Sequence, residues 1–401
     1  MKILMVSPVF FPSLGGIEQH VLNLSKELQK KGNQVDVLTA KIGKTDSAEK
    51  IGSVNVFRIN AGINKQEELS FKGRNLIIPF FFNAIKLHSE KKYDLIHVHC
   101  PFSLLSVIPL KVFRIPIVLT IHGNWINCVK GRRYYKKKIC NDFELNRCAE
   151  CMNSGKTIMK IKRKILVWAA ENSNQIIAVS SEVKNSIVLS RKKEISVIPN
   201  VASNQGFFPD NKALKEFPFN SNRKKILFIG SMIEEKGAKV LLEAAKNINE
   251  LFIFVYSYAD KKYLAEFNEY KNKNNLNTVF LYSLVSNKKI REKFIPFSDL
   301  IVIPSLWPEP CSTIVTEAMA SRKPVIASKT GGFTDLIEDK KDGLLFDAGN
   351  SVELSEKIKL VLDNKNLSEK ISENAFIKVQ KKLNWNKISE ETIKIYRKVL
   401  K

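Results

Sequence analysis

The sequence predicts an α/β protein built from two doubly wound, Rossmann-like domains. Short apolar strands alternate with amphipathic helices through most of the 401 residues, and this alternation is typical of parallel sheets that helices cover on both faces. A polar stretch within residues 201–223 separates two such series. A chain of this length is also too long for one ordinary domain and suits two of about 200 residues each.

Each half of the chain contains six candidate strands. Those of the first half cover residues 3–6, 35–38, 95–98, 117–121, 176–179 and 197–198, and those of the second half cover 226–229, 252–256, 279–281, 300–303, 325–327 and 344–346. After the first strand, Ile17, Val21, Leu24 and Leu28 are spaced to line one face of a helix. We place the domains at 1–205 and 206–382, with an insertion at about 124–165 and a last helix at 383–401.

Composition limits where the protein is expected to work. Apolar residues make up 44% of the chain, which is enough for proper cores, and no apolar run approaches the roughly 18 residues that span a bilayer. The start MKILMVSPVF runs directly into prolines and lacks a small-residue cleavage site. We therefore predict a cytosolic protein without a signal peptide.

The charge is strongly positive and uneven. The net charge is +25, and residues 128–164 contain twelve Lys or Arg against three Asp or Glu, in clusters such as KGRRYYKKK and KIKRK. Such a patch attracts anionic lipid, nucleic acid or a phosphorylated substrate. The alternative is a solvated surface that simply reflects a lysine-rich composition.

The loops after the strands are expected to carry the chemistry, because ligands of doubly wound sheets bind beyond the carboxyl ends of the strands. In SPVFFPSLGGIEQH, Gly15 and Gly16 remove side chains where the backbone would approach a ligand, just before a helix. The segment is not GxGxxG, which argues against a nicotinamide cofactor. His122, in TIHGNW, is placed to bond a sugar hydroxyl or orient a leaving group. A lone histidine is more often structural, and His97 and His99 are interpreted as ending a strand.

The second half carries charged residues in the corresponding loops. In GSMIEEKG, Lys236 follows Gly230 and would neutralise the charge on a departing diphosphate. In EPCSTIVTEAMA, Glu309 lies on a loop and Glu317 lies in a helix predicted over 313–320. Ser312 and Thr313 are candidate caps, and the free amides of the helix start would face an anion. A carboxylate at Glu317 would point toward neutral hydroxyl donors such as a ribose.

Together, these motifs and the stretch KPVIASKTGGFTDLI resemble the retaining glycosyltransferases of family 4, which have the GT-B fold. The resemblance covers essentially the whole chain, and the ordered set is specific although each motif alone is not. It implies transfer of a sugar from a nucleotide diphosphate donor, of the UDP or GDP type, with retention at the anomeric carbon. The implied acceptor is a saccharide or a lipid-linked molecule, as in synthesis of a cell-surface polysaccharide or a glycolipid, in the cytoplasm or at the inner face of the cell membrane.

The resemblance also implies roles for individual residues. Lys236 matches the diphosphate-binding lysine, Glu309 the carboxylate beside the transferred sugar, and Glu317 the carboxylate on the ribose. The last helix resembles the closing segment of the family, which packs back toward the first domain. The implied catalytic residues are His122, Glu309 and Lys236; the donor-binding residues are Gly15, Gly16, Gly230, Ser231, Lys236, Ser312, Thr313, Ile314 and Glu317; on the acceptor side lie Glu18, Trp125, Arg132 and Arg133.

The chain departs from the family pattern at several positions. Ser231 stands where the family often has an arginine, so neutralisation of the diphosphate would depend more heavily on Lys236 and the helix amides. Asp335 stands where a glutamate is common. No DxD motif is present, which is consistent with metal-independent catalysis in the family.

The mechanism and two alternative functions follow from these residues. No nucleophile is evident on the opposite face of the sugar, so we favour attack by the acceptor hydroxyl on the face that the diphosphate leaves; covalent catalysis by Glu309 is the competing mechanism. A nucleotide-sugar epimerase or hydrolase of the same fold is the alternative within enzymes. A zinc-containing nucleic-acid-binding protein is the alternative outside them, but such a module would not need the paired glutamates, and we expect no nucleic-acid partner.

Four of the six cysteines lie close together in the predicted insertion. Cys128, Cys140, Cys148 and Cys151 have the spacing C-x11-C-x7-C-x2-C. In a cytosolic protein such a group favours a structural zinc ion over disulfides, with free or redox-active thiols as a further alternative. Zinc would brace the basic, aromatic loop around Trp125 and is not required for catalysis.

Overall fold

The computed structural model describes residues 1–12, 15–63, 73–128, 130–141, 147–152, 155–202 and 221–401. These residues group into two compact units. The first unit comprises Met1–Arg132, Asn141–Asn200 and Trp385–Lys401, and the second comprises Arg133–Cys140 and Val201–Asn384. The last helix is thus part of the first unit.

One segment differs from the predicted division. Residues 133–140 lie in the middle of the predicted insertion, yet they group with the second unit. They form a small hairpin in which Lys137 Nζ lies 3.5 Å from Glu234 Oε1. Burial raises the pKa of Tyr134 in this hairpin to about 12, and the charges of Glu234 and Glu235 add to the effect. Local pairing within the second unit therefore explains the grouping.

The sheet of the first unit has eight strands in the order β10-β9-β6-β5-β1-β2-β4-β3. Neighbouring strands run parallel, except for the antiparallel pair β3 and β4. Its strands and those of the small hairpin, in chain order, are β1 (Lys2–Val6), β2 (Gln34–Ile42), β3 (Ala48–Ile51), β4 (Val54–Ile63), β5 (Leu95–Val98), β6 (Ile117–Ile121), the hairpin pair β7 (Tyr134–Tyr135) and β8 (Lys138–Ile139), β9 (Gln175–Ala178) and β10 (Ile195–Val197).

The sheet of the second unit has six parallel strands in the order β13-β12-β11-β14-β15-β16. Counted along the unit, this is the order 3-2-1-4-5-6 of doubly wound dinucleotide-binding sheets. The strand order reverses between β11 and β14, and a ligand crevice is expected beyond the carboxyl ends of those two strands. The strands are β11 (Lys225–Ile229), β12 (Leu251–Tyr256), β13 (Val279–Ser283), β14 (Leu300–Ile303), β15 (Val325–Ser328) and β16 (Leu344–Phe346).

Helices connect the strands of both sheets. None of the helices in the described parts of the chain is both long enough and apolar enough to span a membrane. They are α1 (Gly16–Lys30), α2 (Ile77–Lys91), α3 (Pro101–Val107), α4 (Cys148–Met152), α5 (Lys156–Asn172), α6 (Ser181–Ser186), α7 (Ala238–Ala244), α8 (Lys261–Lys273), α9 (287–297, with a π-helical turn at Ile290–Phe294), α10 (Thr313–Ala320), α11 (Phe333–Leu336), α12 (Ser351–Asp363), α13 (Lys365–Lys381) and α14 (Trp385–Leu400), with 3₁₀ turns at Gly73–Leu76, Ile108–Phe113, Glu234–Lys236 and Ala245–Asn247.

The predicted fold class is confirmed, and each of the twelve predicted strands overlaps an observed one. The sequence did not predict β3, β4 or the β7–β8 hairpin. Strand β4 escaped notice because polar residues interrupt its apolar run: Asn55 donates to Asp36 Oδ1 over 2.7 Å, and buried Arg58 forms an ion pair with Glu49 on β3. These partners compensate for the burial of polar groups that a strand pattern would place on the surface.

Helix α14 attaches to the first unit through a buried polar bond as well as apolar packing. Ile388 and Tyr396 are buried, and Tyr396 Oη lies 2.6 Å from Nδ1 of His97 on β5. The other ring nitrogen of His97, Nε2, lies 2.7 Å from Thr120 Oγ1 on β6. The last helix therefore satisfies a polar side chain in the middle of the sheet.

Replacing Tyr396 with phenylalanine should lower the free energy of unfolding by about 1–3 kcal/mol, because His97 would lose a buried hydrogen-bond partner. Urea denaturation measures this change. The control is Tyr258→Phe, which removes the hydroxyl group of an exposed tyrosine and should alter stability by less than about 0.5 kcal/mol. Equal stability of Tyr396→Phe and the unchanged protein would contradict the role of the bond.

Candidate active site

The second unit brings Lys236 and Glu309 into direct contact. Lys236 ends the 3₁₀ turn after β11, and Glu309 lies on the loop after β14, so the two residues meet where the strand order reverses. Lys236 Nζ lies 2.6 Å from Glu309 Oε1, and Ser305 Oγ donates to Glu309 Oε2 over 3.2 Å. Lys236 Nζ also lies 5.5 Å from the ring centre of Trp307. Both charged side chains are only half-buried, so a ligand can reach them.

A close approach of two backbone segments holds Lys236 in place. Gly237 has φ +69°, and a Cβ atom there would lie 1.8 Å from the carbonyl oxygen of Pro304. Next to it, the N–H group of Leu306 donates to the carbonyl of Glu235 over 2.8 Å. Only glycine permits both the left-handed conformation and the contact. The pair of Lys236 and Glu309 therefore depends on the backbone as well as on charge.

The predicted Gly-Gly turn supports Glu309 from the other side. Gly331 has φ +57°, and a Cβ atom there would lie 2.4 Å from both the N and the O atom of Glu309. The N–H group of Gly332 donates to the carbonyl of Glu309 over 2.7 Å. The sequence suggested a turn at this point, and the structure gives the reason: the turn packs directly against the backbone of the Glu309 loop.

Helix α10 begins at Thr313 after the N-cap Ser312, as the sequence predicts. The Ser312 side chain makes no capping hydrogen bond, and Thr313 and Ile314 are half-buried. The N–H groups of a first helical turn have no partner within the helix, and the helix dipole places partial positive charge there. This end of α10 is therefore suited to an anion, provided that one reaches it.

Glu317 has a partner that the sequence did not reveal. The carboxylate is buried in α10, and Arg291 donates from Nε over 3.1 Å and from Nη2 over 2.6 Å, both to Oε1. Burial raises the pKa of Glu317, and the charge and hydrogen bonds of Arg291 oppose that shift. Arg291 lies on the π-helical turn of α9, and π-turns are frequent at functional sites.

In the first unit, His122 follows β6 and has both ring nitrogens engaged. Nε2 lies 3.0 Å from His99 Nδ1, and Nδ1 lies 3.2 Å from Asn200 Nδ2. The sequence suggested that the imidazole bonds a sugar hydroxyl. In this structure the ring is instead fixed on both sides by protein groups, so a sugar would have to replace Asn200 or bond to another part of the His122 loop.

His122 belongs to a cluster that contains four of the five histidines of the chain, His20, His97, His99 and His122. The rings of His20 and His122 lie 4.8 Å apart, and those of His97 and His99 lie 4.2 Å apart. Burial lowers the pKa of His20 and of His97 to about 3, and burial together with neighbouring histidines lowers the pKa of His99 and His122 well below the ordinary value. The cluster is therefore neutral at physiological pH.

Three of these histidines have the chemistry of a metal site. Ligand atoms of His20, His99 and His122 lie within 4.8 Å of one another, and His20 Nδ1 and His99 Nε2 are buried without a hydrogen-bond partner in the described structure. The four cysteines of the predicted zinc site do not form such a group among the described residues, and all are free thiols. The zinc site stays a prediction.

The remaining predicted residues occupy varied positions. Gly15 is the N-cap of α1, and a Cβ atom there would lie 2.4 Å from Oε2 of Glu18, which is buried in the first helical turn. Trp125 is half-buried in the turn after β6, and Arg132 is exposed. Arg133 is buried and donates to the carbonyl of Cys140 across the hairpin. Gly16 is exposed at the first position of α1, and Gly230 and Ser231 are half-buried directly after β11.

Comparison with protein families identifies both halves of the chain. The model of the Glycosyltransferase Family 4 matches residues 14–202, and the model of the glycosyl transferases group 1 matches residues 210–378. The first match covers the histidine cluster, and the second covers Lys236, Glu309 and Glu317.

Individual proteins agree with the family models. An uncharacterized glycosyltransferase of Methanocaldococcus jannaschii is 28% identical, over 100% of this chain and 99% of that protein. The alpha-monoglucosyldiacylglycerol synthase of Acholeplasma laidlawii is 24% identical, over 94% of this chain and 92% of that protein. The crystal structure of HepE of Anabaena in complex with UDP has a TM-score of 0.73 and 18% identity, over 99% of this chain and all of that chain.

Replacing Gly331 with alanine should destabilise the second unit by about 2–5 kcal/mol, because the methyl group adds a clash with Glu309 to the strain of a left-handed residue. Gly52→Ala is the matched control: Gly52 has φ +64°, but its Cβ atom would meet nothing closer than 3.7 Å. The control should lose only about 1–2 kcal/mol. Equal losses in urea denaturation would show that the contact with Glu309 is unimportant.

The histidine cluster should make the protein sensitive to acid. Because the folded pKa values of His20 and His97 are about 3, below the ordinary 6.5, the unfolded chain binds more protons between these values. Stability should therefore be full above pH 6.5 and fall below it, by up to about 1.4 kcal/mol per pH unit for each histidine. Urea denaturation from about pH 7.5 to about pH 5 tests this. His97→Gln, which cannot titrate, should reduce the slope; a slope unchanged by this variant would contradict the assignment.

Proposed function

Because this chain belongs to glycosyltransferase family 4, we propose that it transfers a sugar from a nucleotide diphosphate donor to an acceptor hydroxyl with retention at the anomeric carbon. The observation that supports this most directly is the contact of Lys236 with Glu309 at the strand-order reversal of the second sheet. A doubly wound sheet binds its nucleotide at that point. The chemistry of transfer then requires a cation and a carboxylate beside the donor.

The main chemical task in this proposal is to stabilise the leaving diphosphate. As the bond between the sugar and the phosphate oxygen breaks, negative charge develops on the diphosphate, and groups that are already oriented toward it lower the barrier. Lys236 Nζ supplies a cation, and the first turn of α10 supplies N–H groups. In the absence of a donor, Glu309 holds the lysine in position through the 2.6 Å contact.

Glu317 is proposed to bind the ribose of the donor. Both bonds from Arg291 end on Oε1, so Oε2 is the atom that a ribose hydroxyl would meet. The guanidinium also keeps the buried carboxylate charged, because its charge opposes the effect of burial on the pKa of Glu317. Arg291 is thus a positioning residue in this proposal, and Ser231 leaves the diphosphate to Lys236 and the helix amides.

The structure favours same-face attack over covalent catalysis by Glu309. A carboxylate nucleophile must present a free oxygen to the anomeric carbon. Both oxygens of Glu309 already have partners, Lys236 on Oε1 and Ser305 on Oε2. We therefore propose that the acceptor hydroxyl attacks on the face from which the diphosphate leaves, and that the diphosphate takes its proton. No DxD motif is present in the sequence, and we propose that no metal ion takes part in the transfer.

The proposed substrates follow from the relatives. The structure of HepE contains UDP, which supports a nucleotide of the UDP type over GDP. The Acholeplasma laidlawii relative is a synthase of a glucosyl lipid by name, which supports a lipid-linked acceptor, with a saccharide as the alternative. A lipid-linked acceptor would place the enzyme in the cytoplasm at the inner face of the cell membrane.

Replacing Lys236 with alanine should lower the rate of transfer at least about 100-fold, because the cation at the leaving group is lost. The donor is first identified by thermal stabilisation with a panel of UDP and GDP sugars, since a ligand that binds only the folded state raises the melting temperature. Release of nucleotide in the presence of acceptor then measures turnover.

Lys239→Ala is the matched control for this prediction. Lys239 lies three positions further on and contacts Glu266 over 3.4 Å, so its loss should leave turnover nearly unchanged. Near-normal turnover in both Lys236→Ala and Glu309→Gln would remove the proposed site. Donor consumption without any acceptor would instead identify a hydrolase or an epimerase of the same fold.

A further inference from the structure

Helix α5 carries an unusual row of exposed apolar side chains. Ile158, Ile161, Ile165 and Trp168 are 52%, 52%, 47% and 56% exposed. At about 100° per residue, they occupy an arc of roughly 80° on the helix surface. We call these four residues the apolar stripe. Single exposed apolar residues are normal on protein surfaces, but a row along one helix face indicates a binding surface.

The stripe is separate from the face that α5 packs against the first unit. Met159, Val167 and Ala170 are buried, and their positions lie roughly on the opposite side of the helix, at about 100° per residue. The helix therefore has two apolar faces, although an amphipathic helix needs only one to join a core. Packing within the described part of the first unit does not explain the second.

Positive charge flanks the stripe. Helix α5 contains five Lys or Arg and a single Glu, and Lys160, Lys162 and Lys164 are exposed. Lys160 and Lys164 lie on one side of the stripe and Lys162 on the other, at about 100° per residue. Long lysine side chains in such positions lie along an apolar surface and keep their ammonium groups in a polar layer.

A second exposed apolar pair lies beside the end of α5. Val112 and Phe113, in the 3₁₀ turn Ile108–Phe113, are 78% and 58% exposed. Lys111, in the same turn, donates from Nζ to the carbonyl of Asn172 over 2.7 Å, which fixes the turn next to the last residue of α5. This pair extends the apolar surface beyond Trp168.

We propose that the apolar stripe and its flanking lysines bind the surface of an anionic phospholipid bilayer. Helix α5 would lie in the plane of the interface, with isoleucine and tryptophan side chains among the upper acyl chains and ammonium groups at the lipid phosphates. A row of four side chains on one helix is small for a stable protein interface, which needs about 800 Å² on each partner. The surrounding positive charge also complements lipid phosphates and would repel a second copy of this chain.

This inference deepens the proposed function, and it rests on that function only in that a lipid-linked acceptor would be met at a membrane. Residues of the stripe lie in the first unit, whereas Lys236 and Glu309 lie in the second. Changes to the stripe should therefore leave donor binding intact. The two proposals can fail independently, and separate measurements distinguish the failures.

Co-sedimentation with vesicles of phosphatidylglycerol and phosphatidylcholine tests the surface. The variant Ile161→Ser, Ile165→Ser, Trp168→Ser should bind at least about tenfold more weakly than the unchanged protein. The matched control is Val352→Ser, Leu360→Ser on α12, where the side chains are 69% and 48% exposed and the helix carries three Lys against four Asp or Glu. The control should bind vesicles as the unchanged protein does, because its helix lacks the positive flanks.

Further measurements give every outcome a meaning. Lys160→Gln, Lys162→Gln, Lys164→Gln should weaken binding to anionic vesicles and lower its salt dependence, while vesicles of phosphatidylcholine alone should bind weakly throughout. Unchanged vesicle binding in the stripe variant overturns the inference. So does a loss of dimers in size-exclusion chromatography without a loss of vesicle binding, which would identify a second copy as the occupant. Stabilisation by nucleotide sugars, measured in the same variants, shows that the fold and the donor site are intact.

Discussion

The candidate site of the second unit depends on the contact between the turn at Gly237 and the carbonyl of Pro304. This contact joins the segments that follow β11 and β14, and it is possible only because residue 237 has no side chain. Gly331 repeats the arrangement against the backbone of Glu309. Lys236 and Glu309 meet because the backbone brings them together. A half-exposed ion pair contributes little stability of its own, so the charges are placed by the fold and remain available to a ligand.

The two units carry opposite kinds of electrostatics. The second unit holds Lys236, Glu309, Arg291 and Glu317 as charged groups in contact with one another. The first unit buries the His20, His97, His99 and His122 rings, whose pKa values burial lowers. Charged groups can respond to a charged ligand. Neutral imidazoles that bond to one another provide fixed donors and acceptors for a neutral one, such as a sugar, without the energetic cost of burying charge.

Local sequence signals predicted much of this structure, and long-range pairing explains what they did not predict. Helix α10 was predicted over its full length because a cap, an apolar run and a turn all lie within a few residues. Lys236 and Glu309 were identified because each lies in a loop after a buried strand. The partner of Glu317 lies 26 residues away on a π-turn that has no sequence signature, and the partner of His97 lies 299 residues away. Nothing local to either residue could have indicated these bonds.

The position of α14 has a consequence for how the protein is made. The first unit is discontinuous in sequence, because its sheet is complete by residue 197 but its last helix begins at Trp385. The ribosome supplies residues in order, and domains generally fold as units once their residues have emerged. His97 therefore waits for Tyr396 until translation is almost finished, and in that interval its buried site in the sheet lacks a partner. A nascent chain of this protein would expose that incomplete surface to chaperones throughout synthesis of the second unit.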